Sequence, residues 1–508
     1  MISRYGDRRL PEIPPALIAI LIVGVALRLI NLSGRPVWYD EAFAMLYSRL
    51  PYDSMIEVPD LQHPPFYYMS LKSWTMAFGQ SAAGARSLSL AYGAATIVLA
   101  YLLMRELFDR RIGLIAACFV ALSPFQIAFS QEARMYAQLG FWSTASLWAF
   151  VRGARTNSVG AWIAFGVCGT AALYSHNLAL AFFAAVGIFV LLRLATGLLR
   201  RILRVALLSG TITAALIMGV LFGPWLTRLL GQFGEIVQVY RIAPPTAATF
   251  AQTLIAFGFW TDNQAATLPL AAAMLAGSIL IVALIAHEMI RRRREFDARA
   301  GLLLTLFLVP IIVVTLVSYA LRPVYIIRGL IPSQIAFLFL AAWAASRLPR
   351  VVQIGSGVLI GLVCVLALIV HYPYTGFPRA PWPDVAAYLR ANAKEGDAIV
   401  HDNCLTFFPM VIVDPALEQV YLPDAAGIGV DILPRATQEA LGLPWTNLDD
   451  AIAGRDRVWL VIFARTRGDY RAAGFADDPN WVALDAQFDV VEQRSFGDIE
   501  LFLFNRSD

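Results

Sequence analysis

Long apolar stretches, separated by short charged segments, make up most of the chain up to residue 371. A helix needs about 17–25 mostly apolar residues to cross a bilayer. The pattern therefore predicts an α-helical polytopic membrane protein with about eleven transmembrane helices. An apolar stretch at 248–260 is too short to span and predicts a re-entrant or interfacial helix. The predicted spans are 13–32, 84–104, 112–129, 137–151, 159–174, 177–195, 203–222, 266–287, 301–320, 329–346 and 351–371.

The pattern changes after residue 371, where the apolar segments become shorter and acidic residues more frequent. Such a pattern predicts compact secondary structure outside the membrane. We therefore expect a transmembrane domain at 1–371 and a soluble α/β domain at 372–508. The last predicted strand alternates apolar and polar residues, as a strand at the edge of a sheet does. The predicted elements are a helix at 383–393 and strands at 397–403, 457–463 and 499–504.

The composition agrees with a membrane protein. The chain has 508 residues, of which 58% are hydrophobic and 15% charged, and its mean hydropathy is +0.63. Soluble proteins are about half apolar and one quarter charged. These values exclude a disordered protein, a collagen-like repeat and a nucleic-acid-binding protein. The four cysteines do not have the spacing of a disulfide framework or of a zinc site.

The net charge of +4 conceals two parts of opposite sign. Residues 1–371 contain 29 basic and 15 acidic residues, a net charge of +14, whereas residues 372–508 contain 11 and 21, a net charge of −10. With the N-terminus in the cytoplasm, the predicted inner loops carry 19 basic residues and the outer loops nine. Cytoplasmic loops are enriched in Lys and Arg. We therefore expect a multi-pass bacterial inner-membrane protein with a cytoplasmic N-terminus and a periplasmic C-terminal domain.

The first predicted outer loop, residues 33–83, begins with two adjacent acids, Asp40 and Glu41. Acidic groups at the membrane surface are costly unless they are solvated or used in a function. Two interpretations stay open: a catalytic pair, or a solvated loop start in which Asp40 caps a helix. In the same loop His63 precedes two prolines, which hold it extended, and it is either catalytic or structural. Tyr67 suits the level of the lipid headgroups.

The second predicted outer loop, residues 128–136, adds three polar groups, Glu132, Arg134 and Tyr136. Snorkelling of side chains to the membrane interface is an alternative explanation for Arg134 and Tyr136. It does not account for Glu132, which has no evident structural reason to lie at the membrane edge. This loop is therefore a second candidate for chemistry.

Two further polar positions face outward. His176 lies between two spans that have almost no loop between them, and Arg328 precedes the tenth span. Arg328 either snorkels from a helix end or binds phosphate, for which the planar guanidinium is well suited. Acids that deprotonate a hydroxyl and cations that hold a phosphate form one coherent site when they meet on one side. The residues predicted on this outer side are Asp40, Glu41, His63, Glu132, Arg134, His176 and Arg328.

These motifs resemble the GT-C superfamily of membrane glycosyltransferases, which includes protein O-mannosyltransferases, the lipid A aminoarabinose transferase and rhizobial lipopolysaccharide sugar transferases. The resemblance covers about residues 10–190 and is weaker up to residue 371. It rests on Tyr39-Asp40-Glu41, on His63-Pro64-Pro65 and on Gln131-Glu132-Ala133-Arg134-Met135-Tyr136.

Two further elements carry the resemblance less completely. Ser175-His176-Asn177 resembles the Thr-His element of the family. Arg328 falls where the family often has Arg-Tyr, but Gly329 replaces the tyrosine. Arg328 is therefore the residue whose role transfers least directly.

The resemblance implies a glycosyltransferase that moves one sugar from a polyprenyl-phosphate-linked donor to a hydroxyl acceptor on the outer face of the membrane. The acceptor stays open between a lipid, a polysaccharide and a protein. Asp40 is implied as the base or organiser of the site and Glu132 as the second carboxylate, and Glu41 is a further catalytic candidate. Glu132 is implied either to position the acceptor or, with His63, to bind a divalent metal ion.

The same resemblance implies that cations neutralise the lipid phosphate as it leaves. Lys72, Arg134 and Arg328 are the candidates. The other residues expected to bind the substrate or its phosphate are His63, Tyr67, Tyr136 and His176.

Two other functions share features of this pattern. A transporter or flippase of a lipid-linked sugar would also place polar groups in a helical bundle, but transporters tend to hold charges at the midplane and to contain inverted repeats. The chain shows no internal repeat and has its acids in surface loops. An oligosaccharyltransferase of the same superfamily carries a Trp-Trp-Asp signature, which is absent from this sequence.

Overall fold

The first part of the chain is a bundle of helices. The computed structural model describes residues 14–57, 63–199, 205–231, 243–260, 266–292, 297–422, 435–443 and 446–507. Apolar stretches form helices here because a helix satisfies its own backbone hydrogen bonds, which lipid cannot do. A short 3-10 helix, Ile327–Leu330, precedes the fifteenth α-helix. The α-helices are α1 (Pro15–Leu29), α2 (Tyr39–Tyr47), α3 (Ser54–Glu57), α4 (Phe66–Phe78), α5 (Ala82–Leu107), α6 (Arg110–Leu122), α7 (Pro124–Ser130), α8 (Tyr136–Thr156), α9 (Val159–Ser175), α10 (Ala179–Leu199), α11 (Val205–Gly231), α12 (Ala247–Phe259), α13 (Leu268–Arg291), α14 (Ala298–Ala320), α15 (Ile331–Ala345) and α16 (Arg350–His371).

Each of the eleven predicted spans overlaps a helix of this bundle. Among the described residues, seven helices are long and apolar enough to cross a membrane, or eight when α6 and α7 count as one bent span. The chain is thus a multi-span membrane protein, but the number eleven is not confirmed. One reason is that α1 and α9 have 15 and 17 residues, which is short for a span. Residues 13, 203 and 204 of the predicted spans lie outside the described residues.

The predicted span at 112–129 corresponds to two helices, α6 and α7, which meet at a bend of 59°. Pro124 begins α7, and the Ser123 hydroxyl accepts a backbone N–H of its first turn at 3.4 Å. The last carbonyl groups of α6 accept hydrogen bonds from the buried side chain of Arg28 at 3.0 and 3.1 Å. These bonds satisfy carbonyl groups that every helix end leaves open, so the bend is stabilised inside the bundle.

The short apolar stretch at 248–260 forms α12, which has 13 residues. The Phe257 ring lies 5.9 Å from the Phe125 ring of α7 in edge geometry. Gln334 of α15 donates a hydrogen bond to the carbonyl of Phe257 at 3.0 Å and accepts one from Gln126 at 2.8 Å. α12 therefore packs beside the bend.

The last part of the chain contains a five-stranded mixed sheet with strand order β2-β1-β3-β5-β4. β1 runs parallel to β2 and β3, whereas β5 is antiparallel to β3 and β4. The elements are α17 (Trp382–Asn392), β1 (Ala398–His401), α18 (Cys404–Val413), β2 (Val420–Tyr421), α19 (Arg435–Ala440), α20 (Leu448–Ile452), β3 (Arg457–Phe463), α21 (Ala464–Ala472), α22 (Pro479–Asp485), β4 (Phe488–Phe496) and β5 (Ile499–Arg506). The predicted α/β fold class is confirmed.

The predicted helix and the three predicted strands correspond to α17, β1, β3 and β5. The expectation that 499–504 forms a sheet edge is wrong, because β5 lies between β3 and β4. The edge is formed by β4, whose side chains are mostly exposed. β4 escaped prediction because an exposed edge strand needs few apolar residues.

One helix of the sheet-containing part packs against the membrane part. α18 is apolar, and its residues Cys404, Phe407 and Phe408 belong to the core of the helical bundle. The Phe408 ring stacks on Tyr39 of α2 with ring centroids 5.3 Å apart and an interplanar angle of 7°. The two parts therefore meet at α2.

Close packing at the bend generates a prediction. A Cβ atom on Gly93 of α5 would lie 2.0 Å from the Ser130 hydroxyl oxygen, which accepts a hydrogen bond from Arg28. Gly93→Ala should therefore destabilise the protein by about 1–3 kcal/mol, as overpacking of a core does. Thermal unfolding in detergent measures this as a lower melting temperature. The control is Gly187→Ala in α10, where a Cβ would meet nothing within 4 Å; equal melting temperatures for the two variants would contradict the packing described.

Candidate active site

Asp40 and Glu41 lie in the first turn of α2. The N-cap residue of α2 is Trp38, and no side chain caps this helix. The interpretation of Asp40 as a helix cap is therefore wrong. Consecutive residues of an α-helix point about 100° apart. The two acids therefore face different partners.

Glu41 is completely buried and fully engaged. Arg86 of α5 contacts both carboxylate oxygens at 2.8 Å, and Arg379 contacts one of them at 2.8 Å. The N–H of Ala133 adds a hydrogen bond at 2.9 Å. Burial alone would raise the pKa of Glu41, but the two guanidinium groups hold this pKa well below its ordinary value. The geometry favours a structural role for Glu41 over the catalytic role expected from the sequence.

Glu132 lies between α7 and α8 and is also buried. One of its oxygens accepts a hydrogen bond from Arg379 at 2.7 Å. Buried charges now alternate along one path, Arg86–Glu41–Arg379–Glu132, which we call the charge chain. Each charge in the chain has a partner of opposite sign, as buried ions require.

Arg379 and Arg86 were missed by the sequence analysis. Arg379 is 1% exposed, and its side chain also donates to the carbonyl of Pro36 at 3.0 Å and lies over the ring of Trp38. The one sequence signal for Arg379 is its place in the segment 372–381, soon after the last predicted span on the outer side. The sequence indicates Arg86 only as one of the nine basic residues of the predicted outer loops.

Asp40 faces a second group of cations. Its carboxylate lies 3.1 Å from the guanidinium of Arg328 and 3.6 Å from that of Arg134. Arg328 lies over the rings of Trp38 and Tyr136 at 5.2 and 5.5 Å. The side chains of Asp40 and Arg328 are 13% and 30% exposed, so this part of the site reaches the surface.

Two histidines adjoin these cations. The rings of His63 and His176 are 5.1 Å apart, and His176 lies 5.9 Å from Tyr136. Burial, with the charges of Arg134 and Arg328 acting in the same direction, lowers the pKa of His176 to about 3. Burial, then His176 and the two arginines, also place the pKa of His63 well below its ordinary value. Both rings are therefore neutral near pH 7.

The tautomer of His176 follows from its hydrogen bond. Its Nδ1 accepts the backbone N–H of Leu178 at 3.0 Å, so the neutral ring carries its proton on Nε2. This Nε2 atom is buried and makes no hydrogen bond with the described residues. A buried donor of this kind is available to a ligand.

Two other predicted binding residues have different hydrogen-bond partners. Tyr67 is completely buried, with its hydroxyl 3.4 Å from that of Ser89. Lys72 donates to the carbonyl of Arg49 at 3.2 Å and lies over the ring of Tyr52. The structure therefore brings six predicted residues together beside the charge chain: Asp40, His63, Arg134, Tyr136, His176 and Arg328.

The residues predicted as metal ligands do not fit a divalent cation. Within the described ranges, no group of three His, Cys, Asp or Glu side chains is arranged to hold a metal ion. Glu132 is engaged by Arg379, and the guanidinium groups near His63 repel a cation.

The balance of charges favours an anion instead. The charge chain and the group around Asp40 together contain three carboxylates and four guanidinium groups. Among the described residues, these seven groups together carry one net positive charge, close to two neutral histidines. A planar guanidinium binds a phosphate through parallel hydrogen bonds, so this site suits a phosphate group.

Two comparisons with known proteins bear on this arrangement. Residues 62–226 match the family described as dolichyl-phosphate-mannose-protein mannosyltransferase. The structure is similar to that of ArnT from Cupriavidus metallidurans, with a TM-score of 0.62 and 13% identity over 96% of this chain and 97% of that one. The chain has the GT-C fold. This confirms the fold predicted from the sequence, and the family match agrees with the predicted glycosyltransferase class.

A second GT-C structure is also similar. The oligosaccharyltransferase AglB from Archaeoglobus fulgidus, in complex with an inhibitory peptide and a dolichol-phosphate, has a TM-score of 0.56 and 15% identity. The match covers 97% of this chain and 74% of AglB. ArnT bound to undecaprenyl phosphate matches with a TM-score of 0.60. These ligands agree with the predicted class of partner, a polyprenyl-phosphate lipid. No curated protein sequence matches the chain significantly.

The buried histidines generate a prediction about pH. The pKa of His176 is near 6.5 in the unfolded chain and about 3 in the fold, so only the unfolded chain takes up this proton between these values. Stability is therefore lost as the pH falls from about 6.5, by up to about 1.4 kcal/mol per pH unit for this histidine. In His176→Asn, whose amide oxygen can accept the same N–H, the loss should be smaller.

Melting temperatures in detergent between pH 7 and pH 4.5 measure this difference. His287→Asn is the control, because His287 is exposed on α13. Its curve should parallel that of the unmodified protein. A His176→Asn curve that also runs parallel would show that burial does not keep this ring neutral.

Proposed function

We propose that the chain is a GT-C glycosyltransferase that moves one sugar from a polyprenyl-phosphate carrier to a hydroxyl acceptor. The observation that carries this proposal is the partly exposed carboxylate of Asp40 beside the guanidinium groups of Arg328 and Arg134. Such a site combines a base for the acceptor with cations for the leaving phosphate. The GT-C fold supports the same activity.

The transfer itself needs little more than these groups. The acceptor hydroxyl gives its proton to Asp40 while its oxygen forms a bond to C1 of the sugar. The bond between C1 and the phosphate oxygen breaks, and the electron pair leaves with the lipid phosphate. The phosphate gains negative charge in this step, which Arg134 and Arg328 stabilise. The buried Nε2–H of His176 can donate a further hydrogen bond to it.

The pairing of Arg328 with Asp40 has a consequence for substrate binding. Before the donor binds, the guanidinium lies 3.1 Å from the carboxylate. A bound phosphate competes for the same N–H groups, since it is a strong acceptor for guanidinium. Donor binding should thus weaken this ion pair and release Asp40 to act as a base.

We also propose the orientation of the site. Basic residues number 19 in the predicted inner loops and nine in the outer loops, which favours a cytoplasmic N-terminus. Residues 1–371 then form the membrane domain, and residues 372–508 lie on the outer side with the site, in the periplasm of a bacterium. The contact of Arg379 with Glu41 and Glu132 supports one common side. Cysteine accessibility in intact cells tests this, and labelling of residues 372–508 only after lysis would contradict it.

A variant that lacks the carboxylate of Asp40 tests the proposed sugar transfer. Asp40→Asn keeps the size of the side chain but cannot accept the proton, so transfer should fall by about 10²- to 10⁴-fold. Binding of undecaprenyl phosphate should persist because the arginines remain. Mass spectrometry of envelope glycolipids, from cells with and without the protein, identifies the sugar and the acceptor together.

The matched control is Asp53→Asn, an exposed acid of the same outer loop. It should leave the glycolipid profile of the unmodified protein intact. Full transfer by Asp40→Asn would show that Asp40 is not the base. An unchanged profile in cells that lack the protein would argue against sugar transfer to these lipids.

A further inference from the structure

The C-terminal part of the chain supplies a residue to the middle of the charge chain. The two ends of the Arg379 guanidinium donate to different carboxylates, one to Glu41 at 2.8 Å and the other to Glu132 at 2.7 Å. Glu41 belongs to the first outer loop and Glu132 to the second. Arg379 thus joins two loops that are far apart in sequence.

The backbone around Arg379 is built into the sheet-containing part. The Phe377 N–H donates to the Asp498 carboxylate at the turn between β4 and β5. The Phe377 ring packs on Phe463 of β3 with centroids 5.1 Å apart. Trp382 is completely buried in the core of the same part. The position of Arg379 is therefore set by how that part docks on the membrane bundle.

A second contact joins the sheet-containing part to α2 and does not involve Arg379. Phe408 of α18 stacks on Tyr39 and lies 6.4 Å from Phe43. Tyr39 and Phe43 both belong to α2. Asp40 consequently lies between Tyr39, held by Phe408, and Glu41, held by Arg379.

We propose that Arg379 is a positioning residue, and that the C-terminal domain orients Asp40 for reaction through Arg379 and Phe408. This inference rests on the proposed function of Asp40 as the base. Arg379 is 1% exposed, so it acts through α2 and the loop of Glu132 without contacting substrate. The domain thereby becomes part of the site.

A purely structural ion pair would behave differently. If Arg379 only stabilised the fold, activity in its variants would follow the folded fraction. A positioning residue changes kcat in protein that is fully folded, and misplacement of a reacting group by about 1 Å can cost on the order of 100-fold. Lysine cannot reproduce the planar fork that spans two carboxylates, so Arg379→Lys should rescue only part of the loss.

The test uses the full-length protein in detergent or lipid, with two readouts. The first is kcat for sugar transfer per folded molecule, with binding of undecaprenyl phosphate measured beside it. The second is hydrogen exchange of the peptide containing α2, which needs no activity. Arg379→Gln should lower kcat by about 100-fold and leave lipid binding unchanged. It should also speed exchange in α2 by on the order of tenfold or more, because one charge of a buried pair loses its partner.

Matched controls come from the same domain. Arg390→Gln removes an arginine that pairs with Asp414 on the domain surface, and Phe475→Leu changes a partly exposed ring. Neither should alter exchange in α2. Phe408→Leu should speed hydrogen exchange in α2. If Arg379→Gln does not fold, Phe408→Leu and Arg379→Lys test the positioning role in its place.

The outcomes separate the two proposals. Unchanged exchange in α2 for Arg379→Lys and Phe408→Leu would overturn the positioning role, whatever the activity. Loss of activity without a change in α2 would overturn it as well. Faster exchange in α2, with no sugar transfer by the unmodified protein, would leave the docking contact in place and refute the proposed function.

Discussion

The buried charge chain Arg86–Glu41–Arg379–Glu132 is the interaction on which the rest of the structure depends. It joins α5, α2, the segment after the last span and the loop between α7 and α8. Removing one partner from a buried ion pair costs about 3–5 kcal/mol, because the other charge stays buried and unpaired. Four segments are thereby coupled at one point, next to the partly exposed side chains of Asp40 and Arg328.

The two adjacent acids, Asp40 and Glu41, have different roles because of this coupling. Glu41 points into the charge chain, and Asp40 points toward Arg134 and Arg328. The helix geometry of α2 separates their directions, so one acid anchors the helix while the other stays available. Among the described residues, two guanidinium groups lie beside the carboxylate of Asp40, which favours the lipid phosphate of the proposed reaction as a ligand.

The sequence predicts the features that depend on local pattern. Apolar runs identified the helices, and polar positions in outer loops identified Asp40, Arg134 and Arg328, which do lie together. The role of Glu41 could not be predicted, because its partners Arg86 and Arg379 are 45 and 338 residues away along the chain. Pairing over such distances is set by packing of the whole molecule. The bend between α6 and α7 escaped for a related reason, since the apolar run continues through it and Arg28 stabilises it from another helix.

A cryo-EM structure of the protein with undecaprenyl phosphate shows directly whether Arg134 and Arg328 bind the lipid phosphate. We expect phosphate density within hydrogen-bond distance, about 3 Å, of Arg134 and Arg328. Arg379 should stay between Glu41 and Glu132, with Asp40 facing the bound lipid. Phosphate bound away from both guanidinium groups, with the Asp40–Arg328 pair intact, would contradict this expectation.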